Sequence, residues 1–205
     1  MEAALRVKIC GITTMDDARC AVEAGAAALG FNFHAASPRF VRPEVARAIV
    51  AALPHGVCTV GVFVDEAREE VARISAAVGL TALQFHGTET PAACRGWSVK
   101  VIKAVRVRDL RAAETARLYD VDFILADAYV EGRLGGTGMR IAPEWLVGFD
   151  RGRLILAGGL TPENVSDAVR TVRPFAVDVA SGVEIAPGRK DRDRMRRFIA
   201  NAQSA

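Results

Sequence analysis

Two patterns of hydrophobic and polar residues alternate along the whole chain. Short apolar runs rich in β-branched and aromatic residues, such as TVGVFV at 59–64, are followed by stretches whose apolar positions recur every three or four residues, such as EAREEVARISAAVG. The first pattern is typical of strands and the second of amphipathic helices. The predicted strands cover 6–11, 28–33, 59–64, 82–87, 99–105, 123–127, 153–159 and 175–181. The chain therefore contains eight predicted strand and helix units.

This alternation predicts an α/β fold in which eight parallel strands close into a (β/α)8 TIM barrel. Strands that are always separated by a helix pair in parallel, because only a crossover returns the chain in the same direction. The alternative is an open doubly wound sheet, which usually carries a G-x-G-x-x-G turn after its first strand. The segment CGITTM at 10–15 is no such turn. With no Pro-rich or Gly/Ser-rich linker, residues 1–205 are expected to form a single barrel domain.

Composition and charge narrow the range of partners. The chain has 205 residues, of which 51% are hydrophobic, and its net formal charge is only +3. A charge so small and dispersed argues against nucleic acid or a membrane surface as partner, and favours small molecules. No apolar run approaches the length of a membrane span and the first residues lack a secretory signal, so we expect a cytoplasmic protein. The spacing of Cys10, Cys20, Cys58 and Cys94 favours neither a metal site nor a disulfide framework.

Glycine-containing loops follow the last two predicted strands. Gly158 and Gly159 come at the end of the seventh strand, and Ser181 and Gly182 come at the end of the eighth. Backbone amides exposed there suit a phosphate, which TIM barrels often bind at this place. Each loop taken alone is also compatible with an ordinary turn. The GGTG segment at 135–138 adds a third amide-rich loop, but no Lys-Ser/Thr pair follows it, so it is not a Walker A loop.

Two residues at predicted strand ends are suited to proton transfer. Cys10 ends the first strand and is a candidate base, the alternative being a small buried hydrophobic residue. Asp127 ends the sixth strand after FILA. Desolvation there favours its protonated form, which suits a general acid, although a carboxylate that only bonds the next loop fits equally well.

Three further polar residues at strand ends are candidates for substrate binding. Arg39, after the second strand, can pair with a substrate carboxylate through two parallel hydrogen bonds, unless it is a solvated loop residue. His86 follows the fourth strand and can bind or orient a substrate, or be a hydrogen-bonded structural histidine. Asp178 lies one pleat below the end of the eighth strand, where it can also bond neighbouring loops. The basic run 189–197, interleaved with acids, has the pattern of a solvated helix face and receives no function.

Seven ordered motifs give the chain a resemblance to the phosphoribosylanthranilate isomerase family, from about residue 6 to residue 198. The motifs are KICGIT, LGFNF with SPR, VGVFV, LQFHG-x-E, Asp127 with GGTG, AGGL-x-x-x-NV, and VDV-x-SGVE with PG-x-KD. The resemblance implies conversion of N-(5-phosphoribosyl)anthranilate to 1-(2-carboxyphenylamino)-1-deoxyribulose 5-phosphate in tryptophan biosynthesis, an Amadori rearrangement that needs no cofactor. It assigns Cys10 as general base and Asp127 as general acid. The other site residues that we expect are Arg39, His86, Gly136, Gly138 and Asp178 toward the substrate, and Gly158, Gly159, Ser181 and Gly182 toward its phosphate.

The reaction places a demand on Cys10. A cysteine near its ordinary pKa is only slightly ionised at neutral pH, so a neighbouring cation such as Lys8, or local amide dipoles, is expected to lower the pKa. Two departures from the family pattern leave both catalytic residues in place. Ala180 stands where a serine is usual, and MRIAPEW replaces the commoner Phe-Asp-Trp sequence after GGTG.

Other phosphate-binding barrels are the alternatives to this interpretation. Indole-glycerol-phosphate synthase relies on lysines and a glutamate, and the histidine-pathway aminoaldose isomerase relies on two aspartates, whereas the first strand here ends in Cys10. A non-catalytic phosphosugar-binding barrel would need the glycine loops but not both Cys10 and Asp127. We expect a monomer or a homodimer that binds a small phosphoribosyl substrate.

Overall fold

The strands form one closed barrel in which each strand runs parallel to both of its neighbours. The computed structural model describes residues 5–128 and 142–205. The barrel strands are β1 (Arg6–Cys10), β2 (Ala28–Asn32), β3 (Cys58–Phe63), β4 (Ala82–Phe85), β5 (Lys100–Val107), β6 (Phe123–Ala128), β7 (Leu154–Leu156) and β8 (Ala176–Val179). They pair in chain order, and β1 closes on β8 with Ile9 opposite Val179. The predicted (β/α)8 barrel is confirmed.

Helices cover the outside of the barrel. They are α1 (Met15–Glu23), α2 (Pro43–Ala51), α3 (Arg68–Val78), α4 (Ala112–Arg117), α5 (Val165–Val172) and α6 (Arg192–Gln203). A 3₁₀ turn, Pro143–Leu146, precedes β7, and another, Ser181–Val183, follows β8. A short antiparallel hairpin of β9 (Glu184–Ala186) and β10 (Arg189–Lys190) then leads into α6, and the sequence did not predict it. Across residues 5–128 and 142–205, every helix is too short or too polar to cross a membrane.

Side chains alternate between the barrel interior and the helix layer, as in any strand. The interior is filled by a compact set of small and branched residues: Val60, Ala82, Ile102, Ala104, Leu125, Ile155, Ala157 and Ala176. Their chain neighbours, such as Val101 and Val105, belong to the larger core between strands and helices. The alternation also decides where polar residues point. Asp127 lies two positions after Leu125 and Gln84 two after Ala82, so both face the interior near the carboxyl ends of their strands.

The segment between β4 and β5 differs from the predicted short helix TPAACRGW. Residues 91–94 form turns, and several carbonyls of this segment accept from the Arg68 side chain instead of from helical amides. The Arg68 guanidinium donates to the carbonyls of Ala93, Arg95 and Gly96, at 3.4, 3.0 and 2.9 Å. It also lies 4.1 Å from the ring centre of Trp97. A segment this short gains little from helix formation, so these contacts decide its conformation.

Several predicted boundaries were too long. β4 ends at Phe85, β7 at Leu156 and β8 at Val179, so the polar residues that follow them stand on loops instead of in the strands. The helix predicted over APEWL is only the 3₁₀ turn Pro143–Leu146. For the three strands, the apolar pattern continues into loop residues that are buried or partly buried at the mouth of the barrel.

A buried ion pair holds the loop after β4. Lys103 Nζ donates to Glu89 Oε2 at 2.7 Å and to the carbonyls of Gly87 and Phe85 at 2.8 and 3.3 Å. The Gly87 amide donates in turn to both oxygens of Glu89, at 3.1 and 3.0 Å. Both charged side chains are at most 5% exposed. The pair thereby fixes the backbone on which His86 stands.

We expect Lys103→Met to lower the free energy of unfolding by about 3–5 kcal/mol, because it leaves the Glu89 carboxylate buried without its cation. Lys100→Met on the same strand is the matched control: its ammonium also pairs with a carboxylate, Asp122, but its side chain is 67% exposed. Such a surface pair contributes at most about 1 kcal/mol. Denaturant unfolding of both variants checks this, and equal losses would contradict a structural role for the buried pair.

Candidate active site

The predicted site residues that the structure describes meet at one end of the barrel. Cys10 is the last residue of β1, Asp127 lies one residue before the end of β6, and His86 directly follows β4. The phosphate-loop residues follow β7 and β8. Because all eight strands are parallel, their carboxyl ends open on the same mouth, which is where TIM barrels carry their active sites.

The Cys10 side chain shares the mouth with Lys8 and Asp178. The Cα of Gly30, the register partner of Cys10 on β2, lies beside both the sulfur and the ammonium group. A methyl group added at Gly30 would stand 2.8 Å from Cys10 Sγ and 3.1 Å from Lys8 Nζ. Because Gly30 has no side chain, the Cys10 thiol and the Lys8 ammonium have space to lie next to each other.

The protonation of Cys10 differs from the expectation. Burial raises the pKa of the Cys10 thiol above its ordinary value, and this effect outweighs the opposing attraction of Lys8 and Lys190 for a thiolate. Lys8 already forms an ion pair with Asp178, since its ammonium lies 2.8 Å from Asp178 Oδ1 and both side chains are buried. The prediction that a neighbouring cation gives Cys10 a lowered pKa is therefore wrong, because the effect of burial is larger.

Asp127 is the end of a short hydrogen-bonded row. His86 Nε2 lies 3.3 Å from Asp127 Oδ2, and His86 Nδ1 lies 2.9 Å from the amide nitrogen of Gln84. Both ring nitrogens of His86 therefore lie within hydrogen-bond distance of a polar side chain, and the ring links Gln84 to Asp127. Gln84 itself is fully buried, and its Oε1 has no partner among the described residues. The row fixes the Asp127 carboxylate against the interior wall of the barrel.

Arg39 reaches the mouth from the loop after β2, where it is held by Glu184. Arg39 Nε and Nη2 donate to the two carboxylate oxygens of Glu184, at 2.9 and 2.7 Å. Glu184 is buried, yet the hydrogen bonds from Arg39 and Lys190 keep its pKa below the ordinary value although burial opposes this. Arg39 is therefore not a solvated loop residue. These bonds use two of the five guanidinium donors, so others remain for a ligand.

The loops after β7 and β8 carry the residues predicted to bind a phosphate. Gly158 and Gly159 both have positive φ, at 83° and 64°, which a side chain would disfavour. Asn164 braces the loop by accepting from the Thr161 amide and donating to the Gly159 carbonyl, both at 2.9 Å. Within residues 5–128 and 142–205, the amides of Gly158 and Gly159 donate to no protein acceptor. They are thus available to a phosphate.

The two loops border a common cavity. It has a volume of about 430 Å³ and is lined by Gly159, Leu160, Thr161, Glu163, Ser181, Gly182, Arg194 and Arg197. Gly182 packs so closely that a methyl group there would lie on the Leu160 carbonyl. This contact holds the two loops together. The cavity therefore joins the glycine loops to two arginines of α6.

The remaining predictions divide into three groups. Gly136 and Gly138, in GGTG, lie outside the described residues. Asp178 is at the mouth, but its Oδ1 is bound to Lys8, and its role toward a substrate stays a prediction. The interpretation of the run 189–197 as solvated is wrong for Lys190, whose side chain is 0% exposed at the back of the mouth.

The sequence reasoning missed Glu184 and Lys190 as site residues. Both lie in motifs that carry the resemblance, SGVE and PG-x-KD, but Lys190 was grouped with the surface arginines that follow it. Lys190 differs from the neighbouring arginines because it lies in the short hairpin, in which Arg189 is exposed and Lys190 points inward. No group of three or more His, Cys, Asp or Glu side chains that could hold a metal ion occurs in the part of the chain that the structure describes.

The chain is similar to known proteins over nearly its whole length. The sequence model of the family described as N-(5'-phosphoribosyl)anthranilate (PRA) isomerase matches residues 7–201. The N-(5'-phosphoribosyl)anthranilate isomerase of Trichlorobacter lovleyi is 51% identical, over 98% of this chain and 99% of its own. That of Pseudomonas fluorescens is 52% identical, over 96% and 98%.

Solved structures give the same result. The crystal structure of the Thermotoga maritima phosphoribosyl anthranilate isomerase superposes with a TM-score of 0.90 at 44% identity, covering 98% of this chain and all of that one. A structure of such an isomerase in complex with reduced 1-(o-carboxyphenylamino)-1-deoxyribulose 5-phosphate superposes with a TM-score of 0.86 at 43% identity, over 98% and 100%. The resemblance seen in the motifs is confirmed: the chain belongs to the N-(5'-phosphoribosyl)anthranilate isomerase family.

Proposed function

We propose that Cys10 and Asp127 are the general base and general acid with which this chain isomerises N-(5'-phosphoribosyl)anthranilate. The product is 1-(2-carboxyphenylamino)-1-deoxyribulose 5-phosphate, and the reaction is a step of tryptophan biosynthesis. The observation that carries the proposal is the position of Cys10 and Asp127 on separate strands around the mouth that also carries the glycine loops. Family membership supplies the substrate class.

The first half of the reaction calls for an acid. Protonation of the furanose ring oxygen opens the ring and leaves a protonated imine between C1 and the anthranilate nitrogen. Asp127 faces the interior of the barrel and is restrained through His86, so its carboxyl group can be held toward the ring oxygen. We assign His86 the role of orienting Asp127 and contacting the substrate beside it. A positioned general acid contributes typically about two to four orders of magnitude.

The second half calls for a base. Removal of the C2 proton converts the imine into an enolamine, which tautomerises to the aminoketone. The positive imine draws electrons from C2 and acidifies its proton, so a weakly ionised base is sufficient once the ring is open. Cys10 acts here as thiolate, and Lys8 and Lys190 are the cations that favour this form against burial.

The two ends of the substrate carry negative charges that this mouth can bind. The amides of Gly158, Gly159, Ser181 and Gly182 receive the phosphate, beside the cavity that the last three help to line. Arg39 receives the anthranilate carboxylate through the donors that Glu184 leaves unused. Holding both ends places the ribose between acid and base, which lowers the entropic cost of reaching the reactive geometry.

The same substrate suggests roles for three further residues. We assign Asp178 to bind a ribose hydroxyl while it stays paired with Lys8, and Gly136 and Gly138 to contact the substrate from the loop after β6.

The chain works in the cytoplasm as a monomer or a homodimer. A structural relative from Thermotoga maritima is described as a dimeric enzyme from which monomers were generated.

We expect purified protein to convert freshly made phosphoribosylanthranilate, followed by its fluorescence, and Cys10→Ser to lower kcat by about 10²–10⁴. A hydroxyl is far harder to ionise than a thiol, so the base is lost while the volume is nearly kept. Cys58→Ser is the matched control, since Cys58 is a partly exposed cysteine at the opposite end of the barrel, on the first residue of β3. Equal rates of the two variants would remove Cys10 from the mechanism.

Asp127→Asn should lower kcat by a similar factor of about 10²–10⁴, with KM changed less than about tenfold, because an amide cannot deliver the proton. Asp120→Asn, at an exposed aspartate before β6, is the control and should retain full activity. Steady-state kinetics decide the matter. A large rise in KM at unchanged kcat would instead show that Asp127 only binds substrate.

Arg39→Lys should raise KM at least about tenfold with a smaller effect on kcat. A lysine keeps the charge but cannot pair with Glu184 and the substrate carboxylate through a planar fork. Arg42→Lys, a few residues later at the start of α2, is the control and should leave KM unchanged. If the KM of Arg39→Lys stays at the wild-type value, the carboxylate is bound elsewhere.

A further inference from the structure

We propose that Lys190 is a positioning residue, which fixes the backbone of Cys10 and, through Glu184, the guanidinium of Arg39. The inference rests on the proposed function of Cys10 and Arg39 and adds two residues to it. Lys190 stands on the two-residue strand β10, and its side chain is 0% exposed. The arginines that follow it on α6, for example Arg192 at 61%, are largely exposed.

The bonds of the Lys190 ammonium exclude direct substrate binding. Nζ donates to the Cys10 carbonyl at 2.5 Å, to Glu184 Oε1 at 2.8 Å and to the Ala180 carbonyl at 3.2 Å. An ammonium group has three hydrogens, and each of them meets one of these oxygens. Lys190 therefore has no donor left for a ligand, and its effect on the reaction must pass through the groups that it holds.

Two of these oxygens belong to the backbone at neighbouring strand ends. The β1 and β8 ladder runs up to Ile9 opposite Val179, and the next residue on each side is Cys10 and Ala180. Lys190 bridges these two carbonyls just beyond the last pair of the ladder. It fixes the direction in which the Cys10 side chain leaves the backbone, and it fixes the start of the phosphate loop at Ser181 in the same contact.

The third oxygen carries the restraint to Arg39. Glu184 Oε1 accepts from Lys190 Nζ, from Arg39 Nε and, at 3.3 Å, from the Gly188 amide, and its other oxygen accepts from Arg39 Nη2. A buried carboxylate shared by two cations can adopt few orientations, since any other would leave a charge without a partner. The guanidinium is thereby oriented before the substrate arrives.

The same cluster acts on Cys10 through its charge. The charged groups near Cys10 are Lys8 on its own strand, Asp178 on β8, Lys190 on β10 and Arg39 after β2, with Glu184 between the last two. Lys8 and Asp178 neutralise each other, whereas Glu184 is shared by two cations. These five groups around Cys10 therefore carry one positive charge in excess, which favours the thiolate against burial.

The test compares Lys190→Met with Glu184→Gln, using the pH dependence of Cys10 alkylation by iodoacetamide, quantified on the Cys10 peptide by mass spectrometry. Lys190→Met removes a positive charge and should move the alkylation profile to higher pH by about one unit, a roughly tenfold slower reaction below the midpoint. Glu184→Gln removes a negative charge and should move the profile to lower pH. Arg192→Met, an exposed arginine of the same segment, should leave the profile unchanged.

Steady-state kinetics separate positioning from packing. Lys190→Met should lower kcat/KM at least about tenfold near neutral pH and recover part of the loss as pH rises, since the thiolate then forms without help. Glu184→Gln should chiefly raise KM through Arg39. Profiles of both variants that superimpose on the wild type would overturn the inference, and if Lys190→Met does not fold, the Glu184→Gln profile decides alone. Failure of the wild-type protein to turn over phosphoribosylanthranilate would instead overturn the proposed function, because alkylation needs no turnover.

Discussion

The ladder between β1 and β8 closes the barrel, and the geometry of the mouth depends on its register. Ile9 pairs with Val179, so Cys10 emerges beside Ala180 and therefore beside the start of the phosphate loop. A register shifted by one residue would turn every side chain of β1 to the other face. Lys8 would then leave Asp178, and Cys10 would point into the helix layer. The base, the buried ion pair and the anion site are in this sense one consequence of strand pairing.

The mouth combines burial with charge, and the two oppose each other. Burial favours the neutral thiol of Cys10, while the surrounding cations favour its thiolate. A buried cation needs a nearby anion, and Asp178 accordingly lies beside Lys8 while Glu184 lies beside both Lys190 and Arg39. Buried pairs of this kind contribute little net stability, because desolvation offsets their attraction. Their effect here is on orientation and on the protonation of a neighbour.

The sequence predicted those features that depend on local pattern. The apolar runs placed Cys10 and Asp127 at the ends of predicted strands. The regular alternation of strands and helices predicted the barrel. The turn around Trp97 was not predictable, because it depends on the Arg68 side chain contributed by another element. Lys190 was misplaced for a similar reason. Its burial depends on the β9 and β10 hairpin, which is too short to give a periodic signal, and on a contact with Cys10 at the other end of the chain.

The number of donors that a cation has left distinguishes supporting from ligand-binding residues in this site. Lys190 and Arg39 share the same carboxylate and lie in the same cluster, yet all three hydrogens of Lys190 are occupied by protein oxygens whereas Arg39 shows two bonds from five donors. The difference follows from side-chain chemistry, since a guanidinium can bind one carboxylate along one edge and another along a second edge. An ammonium in the place of Arg39 lacks these two planar edges, so it could not bind both carboxylates through paired hydrogen bonds. Glu184 is therefore held by both Arg39 and Lys190, while Arg39 keeps donors free for the substrate carboxylate.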